Sequence, residues 1–199
     1  MDVLGFFHIL TNKMYTRVVK TRNADILASF ILNEGVEFKE KSSKLISSVK
    51  KWECGVIDDE TFAEAIEDFC LNTYGVRLPV VSFLLRMLLP DRFGTLDVRA
   101  TSALKSLGFK GVKDIPAEET VKERYFEKYS GLDYLEYNNL LKEIGKHYEI
   151  RSEQGEKRTM FPSEVDMTLY MYDKLRGREK RVKVEIKRLS KEEKISRII

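Results

Sequence analysis

The sequence predicts a mostly α-helical protein. Apolar residues recur at three- and four-residue spacing through most of the chain, and capping residues, prolines and glycines punctuate those runs. Strict alternation is confined to one stretch near the C-terminus, "RVKVEIKRL". With 199 residues, the chain can form one domain or two small lobes around a sizeable core. Its 43% hydrophobic and 34% charged residues make a globular composition with more charge than usual.

Ala24 to Leu32, "ADILASFIL", fits an amphipathic helix. Ser42 to Trp52 fits a second, with Leu45, Ile46 and Val49 on one side and lysines on the other. Gly55 breaks that pattern. Asp58 or Asp59 can cap the next helix, "ETFAEAIEDFCLNTY", which stops at Gly75. Pro79 suits the first turn of a helix and Pro90 ends it. The run between them, "VVSFLLRMLL", is apolar nearly all round and reads as a buried central helix. Its polar exceptions, Ser82 and Arg86, are four apart and share a face.

Asp97 caps "VRATSALKSL", which Gly108 closes. Two further helices are expected, near Glu118 to Tyr129 and Tyr134 to Tyr148, followed by a polar loop from Arg151 to Thr159. Ser163 then caps "EVDMTLYMYDKL", with Asp166 three residues on in a capping-box arrangement. In "RVKVEIKRL", Val182, Val184 and Ile186 alternate with basic residues, the pattern of a short strand or extended arm.

Composition narrows the function. The two cysteines, Cys54 and Cys70, form neither a CxxC pair nor a disulfide framework, which fits a reducing cytoplasm. The only histidines, His8 and His147, are far apart, which argues against a histidine-built zinc site or a Ser-His-Asp triad. The acidic run "DDETFAEAIED" reads as a solvated helix face, so neither a metal nor a cofactor is expected. No apolar run reaches the length of a membrane span, and the N-terminus lacks the basic start of a signal peptide. From Lys174 to Ile199 eleven Lys or Arg stand against four Glu, a balance of +7 that leaves −4 on the first 173 residues. Such a tail is either a solvated terminus or a surface for an anionic partner such as nucleic acid.

The segment Thr73 to Gly108 reads as a helix end, a short glycine-containing turn, a buried helix, a second turn and an Asp-capped helix. It resembles the helix-hairpin-helix superfamily of DNA base-excision glycosylases. That family's hairpin reads roughly L-P-G-V-G-x-K, and a later V-D-x-H-V-x-R-V-x-x-R-L-G segment carries its catalytic aspartate. In that register Asp97 falls on the aspartate and Leu107–Gly108 on the closing Leu-Gly. "TYGVRLP" falls on the hairpin at the family's spacing, with Gly75 and Val76 on its first Gly-Val. The departures are Arg77 for the second glycine, Pro79 for the lysine nucleophile, Arg99 for the histidine, and Ser102 and Ser106 for two arginines. The likeness is clearest over roughly a fifth of the chain.

The resemblance implies a two-lobed helical, glycosylase-like domain over residues 1–175, with its helix-hairpin-helix near 60–108 and a basic tail over 176–199. It implies double-stranded DNA as partner, Asp97 as the key carboxylate, and backbone contacts near Gly75, Val76, Arg77 and Arg99. A carboxylate at a helix N-terminus stays ionised and can stabilise positive charge on a sugar as its base departs. Capping alone also accounts for an Asp at that position. Pro79 has no amine, so the implied chemistry uses water and not a Schiff base. A lysine elsewhere, such as Lys105 or Lys110, could in principle substitute as the amine, though nothing in the sequence favours that. The competing readings are a helix-hairpin-helix module that grips DNA without cutting it, and a helical protein–protein adaptor. Trp52, Tyr74, Tyr170 and Tyr172 are conceivable walls for a flipped base, or ordinary core aromatics.

Overall fold

The computed structural model describes residues 22–73, 76–116, 122–151 and 155–177. In chain order the elements are α1 (Arg22–Glu53), α2 (Asp59–Asn72), α3 (Leu78–Leu88), α4 (Val98–Ser106), α5 (Lys122–Lys128), α6 (Gly131–Lys146), β1 (Glu149–Arg151), β2 (Lys157–Thr159) and α7 (162–177). The described chain is thus mostly helical, as the apolar spacing predicts. No described helix is long and apolar enough to cross a membrane.

Local chemistry sets most boundaries. Asp58 caps α2 by accepting from the Thr61 N–H at 2.9 Å. Pro79 lies in the first turn of α3, where its missing N–H costs no helical bond. At the end of α4, Gly108 sits at φ +90°, a conformation that favours glycine. Its N–H donates to the Lys105 carbonyl, and the Phe109 N–H donates to the Leu104 carbonyl. Ser130 and Asp133 cap α6 reciprocally, each side chain accepting from the other's backbone N–H.

Four expectations are corrected. The two helices expected at 24–32 and 42–52 are one. A lone glycine, Gly35, costs a helix only about 1 kcal/mol, and the buried stripe Phe38, Ser42, Leu45, Val49 continues one face. Helix α2 ends at Asn72 and does not reach Gly75. The polar stretch expected as a loop is an antiparallel hairpin, with Glu149 opposite Thr159 and Ile150 opposite Arg158. Helix α7 starts at 162, a residue before Ser163. There Glu164, not Asp166, reaches back to accept from the Phe161 N–H at 2.8 Å. Arg158 grips the same Glu164 through two hydrogen bonds of 2.7 and 2.6 Å, tying the hairpin to the start of α7. The alternating stretch around Val182 to Ile186 lies outside the described residues.

Helix α2 packs on α1, α3, α5 and α6, and α1 also packs on α3. Aromatic rings bind these helices to the segment after α3. Phe93 is fully buried, with ring centres 5.5 Å from Trp52, 6.1 Å from Phe62 and 6.2 Å from Tyr134. Trp52 in turn stacks on Phe62 at 4.8 Å and donates from its indole to Asp59 at 2.7 Å. Phe93 therefore anchors the α3–α4 connection to α1, α2 and α6. Phe93→Ala is expected to cost about 3–5 kcal/mol. Phe93→Leu should cost less, because it keeps most of the volume. Urea unfolding followed through the single tryptophan, Trp52, measures both.

Candidate functional site around Asp97

Asp97 is the N-cap of α4, in extended conformation at φ −128° and ψ 136°. The three residues before it, Gly94 to Leu96, have no secondary structure, yet side chains from three helices hold their backbone. The Gly94 N–H donates to Asn138 Oδ1 at 2.7 Å, and the Gly94 carbonyl accepts from the Tyr134 hydroxyl at 3.0 Å. The Thr95 N–H donates to Asp166 Oδ2 at 3.1 Å, and the Thr95 carbonyl accepts from the Tyr137 hydroxyl at 3.2 Å. The Leu96 N–H donates to Ser82 Oγ at 2.9 Å. Buried backbone groups must find partners, and a typical bond of this kind stabilises by about 1 kcal/mol. Gly94 has no room for a side chain. A Cβ there would collide with Leu141 Cδ1 and come within 3.1 Å of Asp166 Cβ.

Asp166 is only 3% exposed. Beside it lies Arg86 from α3, at 3.8 Å from Oδ2, too long for a tight pair. The guanidinium also reaches Thr95 Oγ1 and the Ser163 carbonyl, both at 3.4 Å. Burial pushes the Asp166 carboxyl up to about 6, against the opposing pull of the Arg86 charge. The hydrogen bonds from the Thr95 N–H and the Tyr137 hydroxyl pull the other way and do not outweigh burial. Tyr137 has one phenolic proton for two acceptors, the Thr95 carbonyl and Asp166 Oδ1 at 3.3 Å. A protonated Asp166 can donate to the Tyr137 oxygen and leave the phenol proton to Thr95. Burial raises the Tyr134 and Tyr137 phenols well above their ordinary range, so both remain donors.

Asp97 itself is half-buried. Its Oδ1 accepts from the Arg99 N–H at 2.6 Å. Among the described residues no hydrogen-bond donor reaches Oδ2. Arg99 is exposed and turns toward α7, where its guanidinium donates to the Tyr170 hydroxyl at 3.1 Å and lies 5.1 Å from that ring's centre. Ser82 links this end of α4 to the first turn of α3, because its hydroxyl also donates to the Pro79 carbonyl at 2.8 Å. The structure thus brings Asp97 and Arg99 together beside the N-terminal part of α3.

The residues expected to match the family's hairpin are less complete. Gly75 and Tyr74 lie outside the described residues. The Val76 side chain is fully buried, and its N–H donates to the Thr73 carbonyl at 3.2 Å. Arg77 is half-buried at the N-cap of α3, and its side chain makes no capping bond. Of the other candidates, Lys105 pairs with Asp114 at 2.5 Å and Lys110 is exposed. Trp52 belongs to the aromatic cluster and edges a concavity of about 190 Å³ with Arg92, Phe93 and Lys142. Tyr172 lines an apolar groove of about 170 Å³ with Leu107, Phe109, Tyr148 and Met160. Asp97 lines neither. Among the described residues no cluster of His, Cys, Asp or Glu could hold a metal ion.

Sequence reasoning singled out Ser82 and Arg86 as polar exceptions in an apolar helix, and both face this site. It missed Tyr137 and Asn138, and it assigned Asp166 a local role. The available signal was a polar trio, Tyr134, Tyr137 and Asn138, at three- and four-residue spacing on one face of α6. No protein-family model, curated protein or solved structure matches this chain.

Asp166 gives a pH signature. Its folded-state pKa of about 6 lies above the ordinary 3.8, so between those values the native state holds the proton and the unfolded chain does not. Its contribution to stability is therefore complete below about pH 4 and is lost as pH rises through about 6. Asp166→Asn does not titrate at this position. Relative to wild type it is expected to gain on the order of 2 kcal/mol between about pH 4 and pH 7, read by urea melts at each pH. A difference that stays flat across that range would show that Asp166 is ionised throughout.

Proposed function

We infer that this chain is a DNA-binding protein of the helix-hairpin-helix type, acting as a monofunctional base-excision glycosylase with Asp97 as its key carboxylate. One observation carries this reading. Asp97 stands half-exposed at a helix N-terminus on a backbone fixed from three sides, and only one of its oxygens is committed to capping. A carboxylate used for charge stabilisation has to be held still, and such a frame supplies that. The order α2, α3, connection, capped α4 is compatible with the two-lobed arrangement of that superfamily.

In this mechanism the bond from the base nitrogen to the sugar C1′ breaks and the base leaves with the electron pair, taking up a proton. The sugar becomes cationic. Asp97 faces that charge, and a water attacks C1′ and releases its proton, leaving an abasic site. Pro79 cannot form the covalent imine of lysine-dependent relatives, so no strand cleavage accompanies base release.

A second reading is favoured by the 2.6 Å bond from the Arg99 N–H, which gives Asp97 a sufficient structural role. On that reading the chain grips duplex DNA and cuts nothing. A panel of duplexes carrying uracil, oxidised guanine, alkylated adenine or mismatches, followed by hot alkali, separates the two. The glycosylase reading expects alkali-labile breaks with at least one substrate, reduced about 100-fold or more in Asp97→Asn. Salt-dependent binding with no breaks supports the module, and no binding at low salt leaves the helical adaptor.

A further inference from the structure

We propose that α7 is a second DNA-contacting element, in which Lys174 joins Arg99 of α4 across the Tyr170 ring to clamp the phosphates of one strand beside Asp97. The proposal rests on the DNA-binding reading above and extends it to a helix that the family motif does not include.

Two cations share one aromatic ring. Arg99 Cζ lies 5.1 Å and Lys174 Nζ 6.0 Å from the centre of Tyr170. Both side chains are exposed, and among the described residues neither pairs with a carboxylate. Lys105 and Arg158, by contrast, are paired with Asp114 and Glu164. The Arg99 and Lys174 charges are no more than about 11 Å apart, close enough to meet neighbouring phosphates of one strand.

The ring orients the pair. Its hydroxyl accepts from Arg99 at 3.1 Å, which leaves other guanidinium N–H groups for a phosphate. Asp97, bonded to the Arg99 N–H, would by itself repel a phosphate chain. The Arg99 and Lys174 cations on its α7 side offset that repulsion. Two exposed cations held on one ring, in a chain with a basic C-terminal stretch, are the electrostatic footprint of a polyanionic backbone such as that of DNA. The sequence from Lys174 to Ile199 carries a balance of +7.

The test measures binding of the full chain to a fluorescent undamaged duplex by anisotropy across a salt series. Lys174→Gln and Tyr170→Leu are compared with wild type and with Lys44→Gln, an exposed lysine of α1. Lys174→Gln is expected to weaken binding several-fold and to flatten the salt slope by about one, with Lys44→Gln unchanged. Tyr170→Leu should weaken binding by releasing both cations. Trp52 fluorescence confirms that each variant is folded. Wild-type binding that both α7 variants leave unaltered would overturn the clamp while sparing the DNA reading. A wild type that binds no duplex at low salt would overturn both. Polyglutamate displacing the duplex at equal charge concentration would assign the surface to an acidic protein instead.

Discussion

The site depends on one constraint: the backbone from Gly94 to Leu96 has no ladder or helix to satisfy it, and it is buried. Five side chains do that work, Ser82 from α3, Tyr134, Tyr137 and Asn138 from α6, and Asp166 from α7. Such a segment has little freedom to shift without leaving a polar group unpaired. Asp97 follows directly, so its position is set by the packing of three helices more than by its own cap. Phe93 fixes the other end of the segment through the rings of α1, α2 and α6.

The buried charge in this frame behaves differently from the surface pairs. Lys146 with Glu143 and Lys157 with Glu149 are exposed, and pairs of that kind contribute little. Arg86 and Asp166 are withdrawn from water at 3.8 Å, a geometry in which desolvation outweighs attraction for the carboxylate. What the pair gives is position. Arg86 spans Thr95, Ser163 and Asp166, so α3, α7 and the connecting segment meet at one guanidinium.

Much of the fold was legible in the sequence because its signals are local. Asp97 before an apolar-periodic run, Pro79 and Pro90 around an apolar stretch, and Gly108 after the last turn each act within a few residues, and each marks a boundary of α3 or α4. The frame around Gly94 to Leu96 was not legible because its bonds span 14 to 71 residues. Asp166 shows why. Ser-x-x-Asp before an apolar run has the form of a capping box, yet the helix starts earlier and the carboxylate serves Thr95. The hairpin escaped notice because strands of three mostly charged residues carry no usable period. The pairing of Arg158 with Glu164 on α7 supplies what the pattern lacks.

The shared frame also limits how the protein can drift over generations. Replacing Asn138 with an apolar residue strands the Gly94 amide, and adding a methyl to Gly94 meets Leu141 at once. Ser82 bonds to both Leu96 and Pro79, and Tyr137 to both Thr95 and Asp166, so either loss is felt in two places. Lineages that keep this architecture should alter these positions together or not at all, while the exposed faces of α1 and α6 vary freely around them. Descendants of this chain would then be recognised less by overall similarity than by a scattered set of polar residues that changes in concert.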